Sequence, residues 1–138
     1  MQALSGTGAL RVLCEFLKFA CPHKVVFMSR PTWANHGEIV ARAGLKGAYY
    51  QYWNPATRGL DLEAMLSDIE HAPDGSVIML HACAHNPTGV DPTMAQWRQI
   101  MALIKRKNHL TFFDSAYQGF ATGDLDADAV RSFFLALV

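Results

Sequence analysis

Apolar positions along the chain change period several times, and each change marks an element. From Ala9 to Phe19, Leu10, Leu13, Cys14 and Leu17 recur at helical spacing. Val25-Val26-Phe27-Met28 is a short unbroken apolar run, the mark of a strand covered on both faces. Trp33 to Ala43 returns to helical spacing and stops at Gly44, a residue suited to the left-handed turn beyond a helix end. Tyr49 to Trp53 reads as a strand closed by Asn54-Pro55. Leu60 to Ile69 reads as a helix with Asp61 and Glu63 in its first turn, where acidic groups complement the helix dipole. Val77 to Leu80 is a second buried strand. Thr93 to Lys107 is a helix with Lys105, Arg106 and Lys107 in its last turn, and Leu110 to Phe113 is a last strand. A helix followed by repeated strand–helix units predicts an α/β fold, a mostly parallel sheet with flanking helices. Ligands of such sheets gather at the carboxyl ends of the strands. The chain opens on a turn and a helix with no strand ahead of them, which leads us to expect truncation at the amino end.

Length and composition narrow the classes of function. At 138 residues the chain is one ordinary domain or part of one. It is 51% hydrophobic and only 17% charged, which excludes disorder and leaves little charge to solvate a surface. Some of that surface is therefore expected to face other protein. Twelve basic and twelve acidic residues cancel, so no nucleic-acid partner is expected. No apolar run approaches the roughly 18 residues of a membrane span, and Met1 to Gly6 lacks the pattern of a signal peptide. Three cysteines, Cys14, Cys21 and Cys83, with no CxxC spacing argue against a disulfide scaffold. A reducing compartment follows, cytoplasm or mitochondrial matrix.

Several short motifs carry candidate chemistry. Ser5-Gly6-Thr7-Gly8 precedes a helix, and its hydroxyls and free amides suit either an anion cradle or an ordinary helix cap. Arg11 stands where a dinucleotide fingerprint needs glycine, so that reading fails. His81, Cys83 and His85 share one face at strand period; they are metal ligands or, the favoured reading, histidines of the core or just behind a site. Asn86-Pro87-Thr88-Gly89 is turn chemistry that also offers an amide to a ligand. Asp114 ends an apolar strand as either a helix cap or a carboxylate facing a cationic group, with the Tyr117 hydroxyl nearby. Trp33, beside Asn35 and His36, is either core or an aromatic plate for a flat ligand. Together these groups suit a flat, cationic heteroaromatic ring bearing a phosphate.

Four of these segments, in order, closely resemble the aspartate aminotransferases, class I, fold type I enzymes that use pyridoxal 5′-phosphate. They are Ser5 to Leu10, Pro31 to His36, His81 to Gly89 and Phe113 to Phe120, and Arg58-Gly59-Leu60-Asp61 extends the likeness. The resemblance implies that Ser5, Gly6 and Thr7 hold the cofactor phosphate. It implies that Trp33 stacks on the pyridine ring, that Asn86 and Tyr117 bond its phenolic oxygen, and that Asp114 pairs with the ring nitrogen. Trp33 and Asn86 would also contact substrate, while His36 and His81 would support Asp114 from behind, with no metal involved. Amino-acid and 2-oxo-acid substrates, a homodimer and cis peptides at Arg30–Pro31 and Asn86–Pro87 are implied as well.

The resemblance also exposes departures. The family's Schiff-base lysine should lie well downstream of the aspartate, yet residues 115–138 contain no lysine. Lys18, Lys24, Lys46, Lys105 and Lys107 match nothing in the motif. The arginine that clamps the substrate carboxylate and the amino-terminal arm have no counterpart either. We therefore read residues 1–138 as the central part of the cofactor-binding large domain, without the arm, the lysine region or the small domain. The complete enzyme would move an amino group between aspartate and 2-oxoglutarate. The alternative is a catalytically incompetent homologue that only binds cofactor or phosphate, or only pairs with other chains.

Overall fold

The computed structural model describes residues 2–129. Its main body is a four-stranded, wholly parallel sheet in the order β2-β1-β5-β6. These strands are β1 (Val25–Arg30), β2 (Lys46–Gln51), β5 (Val77–His81) and β6 (Leu110–Asp114). Helices α1 (Ser5–Ala20) and α2 (Asn35–Arg42) cover one face. Helices α3 (Leu62–His71) and α4 (Met94–Arg106) cover the other. The predicted α/β layering is the observed one.

Strand alternation divides the core in two. Val26, Met28, Val77, Met79 and Phe112 pack with Leu10, Cys14 and Leu17 of α1 and with Ile39 and Val40 of α2. Phe27, Ile78, Leu80 and Phe113 pack instead with Met65 and Ile69 of α3 and with Trp97, Ile100 and Ile104 of α4. Each fully buried aliphatic or aromatic side chain of this kind contributes roughly 1.5–3 kcal/mol through area removed from water. Burial also pushes the Cys14 thiol up to about 11, so it is a small core group with no nucleophile in it.

Local chemistry sets the helix ends. The Thr93 side chain accepts from the Gln96 amide and the Gln96 side chain accepts from the Thr93 amide, a reciprocal capping box that starts α4. Asp61 is the cap of α3, accepting from the Ala64 amide, rather than a residue of its first turn. Gly44, at φ 72°, takes the left-handed position beyond α2, as its sequence predicts.

The structure corrects three boundaries. β2 starts at Lys46, well before the expected Tyr49, because it pairs along its whole length with β1 despite its apolar-poor Lys46-Gly47-Ala48 start. Trp53–Asn54 (β3) leaves that strand and forms a small antiparallel pair with Gly59–Leu60 (β4). The helix α1 takes in Ser5 to Gly8 as its first turn. Among the described residues no helix is long and apolar enough to cross a membrane.

Candidate functional site

Parallel register brings the chemistry to one sheet edge. β5 ends on His81 and β6 on Asp114, and these two residues are register partners. Alternation puts both on the side of Met79 and Phe112, toward α1 and α2. A cavity of about 220 Å³ opens there. Its wall includes Ser5, Gly6 and Thr7 of α1, Trp33, Asn86, Asp114 and Tyr117, with His81 and Cys83 behind them.

Every residue expected to touch the cofactor thus lines one cavity. The reading of Ser5 or Thr7 as a helix cap does not hold, because Leu4 occupies the cap position of α1 and no side chain caps it. Both hydroxyls and the first-turn amides stay exposed, and the positive end of a sixteen-residue helix lies beside them. Ser5 itself sits at φ 56°, an unusual value for a non-glycine residue. The Asn86 side-chain amide donates to the Tyr117 hydroxyl at 3.3 Å, tying together two groups that approach from different strands. The Arg30–Pro31 and Asn86–Pro87 peptides are both cis.

Asp114 caps no helix. Its side chain is 17% exposed and meets the fully buried His36 at 3.0 Å. A directed series of hydrogen bonds stands behind that pair. The Asn86 backbone amide donates to His81 Nδ1 at 3.1 Å, so the neutral His81 ring carries its proton on Nε2 and donates to Thr32 Oγ1 at 3.2 Å. Thr32 lies 2.7 Å from His36 Nδ1, and His36 Nε2 donates to the Asp114 carboxylate. Burial and the neighbouring His36 ring push His81 down to about 4, which keeps it neutral at physiological pH. His36 also meets Trp33 edge-on, with ring centroids 5.4 Å apart, and so steadies the wall of the cavity.

At the histidine-rich strand end the rings pack on one another. Among the described residues no group of three His, Cys, Asp or Glu side chains is arranged to hold an ion. His81 and His85 stack instead, with centroids 4.2 Å apart, and Tyr52 stacks on the far side of His85 at 3.8 Å. Asp91 accepts the amides of Ala84 and His85 at 2.7 and 2.9 Å. That carboxylate holds Ala84 in its left-handed conformation, φ 47°. Sequence reasoning missed Thr32, Tyr52 and Asp91. Thr32 had one legible signal, its place four residues before His36 at the mouth of β1.

Comparison with known proteins matches this geometry. Residues 1–137 match the family described as aminotransferase class I and II. The mitochondrial aspartate aminotransferase of Schizosaccharomyces pombe is 56% identical over 128 residues, which are 93% of this chain and 29% of that protein. The solved cytoplasmic aspartate aminotransferase of Saccharomyces cerevisiae superposes with a TM-score of 0.92 at 55% identity, over 94% of this chain and 32% of that one. An aromatic-amino-acid aminotransferase of Burkholderia pseudomallei, solved covalently bound to pyridoxal phosphate, gives a TM-score of 0.93 at 39% identity. It is covered over 34% of its length and this chain over 98%. The chain spans about a third of the length of these relatives. With a match over nearly all its residues and the fold to go with it, this chain belongs to the class I and II aminotransferase family, as a homologue of its aspartate aminotransferases.

Proposed function

We propose that residues 1–138 form the central part of a cofactor-binding large domain, and that its cavity receives pyridoxal 5′-phosphate. One observation carries the reading. A single cavity is lined both by the uncapped first turn of a helix, suited to a phosphate, and by a carboxylate with histidine support, suited to a pyridinium nitrogen. The donor set fits the group.

In this reading Ser5, Gly6 and Thr7 bind the phosphate through hydroxyls and amides. Trp33 lies against the ring and limits where a substrate can approach it. Asn86 and Tyr117, already in contact with each other, bond the ring oxygen, and Asn86 also faces the substrate. Asp114 holds a proton at the ring nitrogen, while His36 keeps that carboxylate oriented and His81 with Thr32 keeps His36 in one tautomer. Bound there, the cofactor supplies an electron-accepting ring for charge left on an amino acid's α-carbon. The complete protein would use it to move an amino group between aspartate, the amino acid in the names of the relatives, and a 2-oxo acid, for which we propose 2-oxoglutarate. Relatives named for mitochondria and cytoplasm, with three free cysteines here, support a reducing compartment.

A second reading rests on the lysines. None of the chain's five lysines lines the cavity. Lys18 and Lys24 are instead bonded to the Gly44 and Gly75 carbonyls, and Lys107 to Asp74. On that ground the chain by itself binds the cofactor without covalent attachment or turnover, and pairs with further protein to complete a site. Supplying pyridoxal phosphate, aspartate and 2-oxoglutarate separates the readings. Oxaloacetate establishes transamination by this chain, and stoichiometric cofactor binding without oxaloacetate establishes the binding module. Neither binding nor turnover overturns both.

A further inference from the structure

Beyond the groups that line the cavity, a second hydrogen-bonded series runs alongside the first, on the α3/α4 side of the sheet. The Tyr50 hydroxyl, almost fully buried, donates to the Met79 carbonyl at 2.8 Å. Ser29 Oγ lies 2.9 Å from His85 Nε2, and the Thr88 hydroxyl lies 2.8 Å from His85 Nδ1 and accepts the Val90 amide at 3.2 Å. His85 is 2% exposed, and burial with the nearby His81 and His36 rings pushes it down to about 3. It is a neutral ring with both nitrogens satisfied, its backbone clamped by Asp91.

This fixed ring is pressed between Tyr52 and His81. It covers one side of His81, while His36 meets His81 edge-on with centroids 5.2 Å apart. His81 bonds both partners only with its ring in this plane and in one of its two flipped orientations: a half-turn keeps the plane but puts carbon where the Asn86 amide and Thr32 hydroxyl need nitrogen, and a tilt out of the plane lengthens both bonds. The His81 bonds lie in the plane of the ring, and His85 covers one of its faces.

We propose that His85, which touches neither cavity nor cofactor site, is a positioning residue: stacked on His81, it fixes the ring plane and the Nε2-protonated, neutral form of His81, and through Thr32 and His36 the orientation of Asp114. The inference deepens the proposed function, because Asp114 orientation matters only if Asp114 serves a ligand. Its test reads ring protonation without any cofactor, so the two can fail separately. The groups facing His81 are His36, His85, Asp91 and Asp114, and of these only His85 stacks on its face.

The experiment is nitrogen-15 NMR of the histidine rings in the 138-residue chain. In the parent chain His81 should show protonated Nε2 and bare Nδ1 from mildly acidic to neutral pH. His85→Phe keeps an aromatic face without ring nitrogens and should preserve that pattern. His85→Ala should admit water, mix the two His81 tautomers and raise its titration midpoint by about one pH unit or more toward the ordinary histidine value. An unchanged His81 in His85→Ala overturns the proposal, as does equal disruption by Phe and Ala. Should His85→Ala fail to fold, His85→Asn keeps a polar group toward Ser29 and Thr88 but removes the ring that covers His81. Tautomer mixing at His81 then supports the proposal, and an unaltered pattern overturns it.

Discussion

His81 and Asp114 are the last residues of adjacent parallel strands and stand opposite each other in the register, yet they do not bond directly. Thr32 and His36, supplied by the turn after β1 and the start of α2, span the gap. A carboxylate at the sheet edge is thereby anchored to the backbone amide of Asn86, on the turn that carries another cavity residue. The two sides of the cavity are joined by one run of hydrogen bonds.

Thr32 is the narrowest link in that arrangement. Thr32→Val keeps the shape but leaves both His36 Nδ1 and His81 Nε2 without a partner, and should cost about 1–3 kcal/mol in urea unfolding. Thr32→Ser keeps the hydroxyl and should stay within about 0.5 kcal/mol of the parent chain. Equal stability of the valine and serine variants would show that the hydroxyl does not carry the bonds.

Asp91 should matter as much as any cavity residue while touching none of the cavity. Asp91→Ala strands the two consecutive amides of Ala84 and His85 and releases the left-handed Ala84. Charge-assisted bonds of this kind suggest a loss of about 2–4 kcal/mol. A urea midpoint equal to that of the parent chain would contradict it.

Stability should fall as the solution is acidified. His81 and His85 are held at about 4 and about 3 in the fold, below the roughly 6.5 of an unfolded histidine. The unfolded chain therefore binds protons that the folded chain refuses, and the stability present above pH 6.5 is lost on the way down to about pH 4. Between pH 7 and pH 5 the two rings should remove about 2–4 kcal/mol, read as a falling urea midpoint. A midpoint that is flat across that interval would mean the rings are not kept neutral.

The elements that proved legible in the sequence are those whose own residues decide them. Val77 to Leu80 is apolar at every position and is buried at every position. The Gly44 stop is local chemistry, readable without any partner, while the helix expected from Thr93 begins at Met94 with Thr93 as its cap. Lys46 to Ala48 escaped because its strand character comes from pairing with Val25 to Phe27 and not from its own side chains. The β3–β4 pair escaped for the same reason, being two residues on each side. At the site, the residues of the cavity wall could be named from four motifs, since they share strand ends and helix starts. Their supports could not, because Tyr52 reaches His85 from beyond β2 and Asp91 by folding the β5–α4 connection back on itself, and only the folded chain sets a ring stack at 3.8 Å.

The central claim, that one cavity grips a phosphate with α1 and a pyridine nitrogen with Asp114, is tested most directly by calorimetric titration with pyridoxine 5′-phosphate. This probe has the ring and the phosphate but no aldehyde to react with surface lysines. The account predicts saturable binding of one molecule per chain, weakened by about tenfold or more both for pyridoxine, which lacks the phosphate, and for the chain carrying Asp114→Ala. Absence of saturable binding, or equal affinity for pyridoxine and its phosphate, would contradict it.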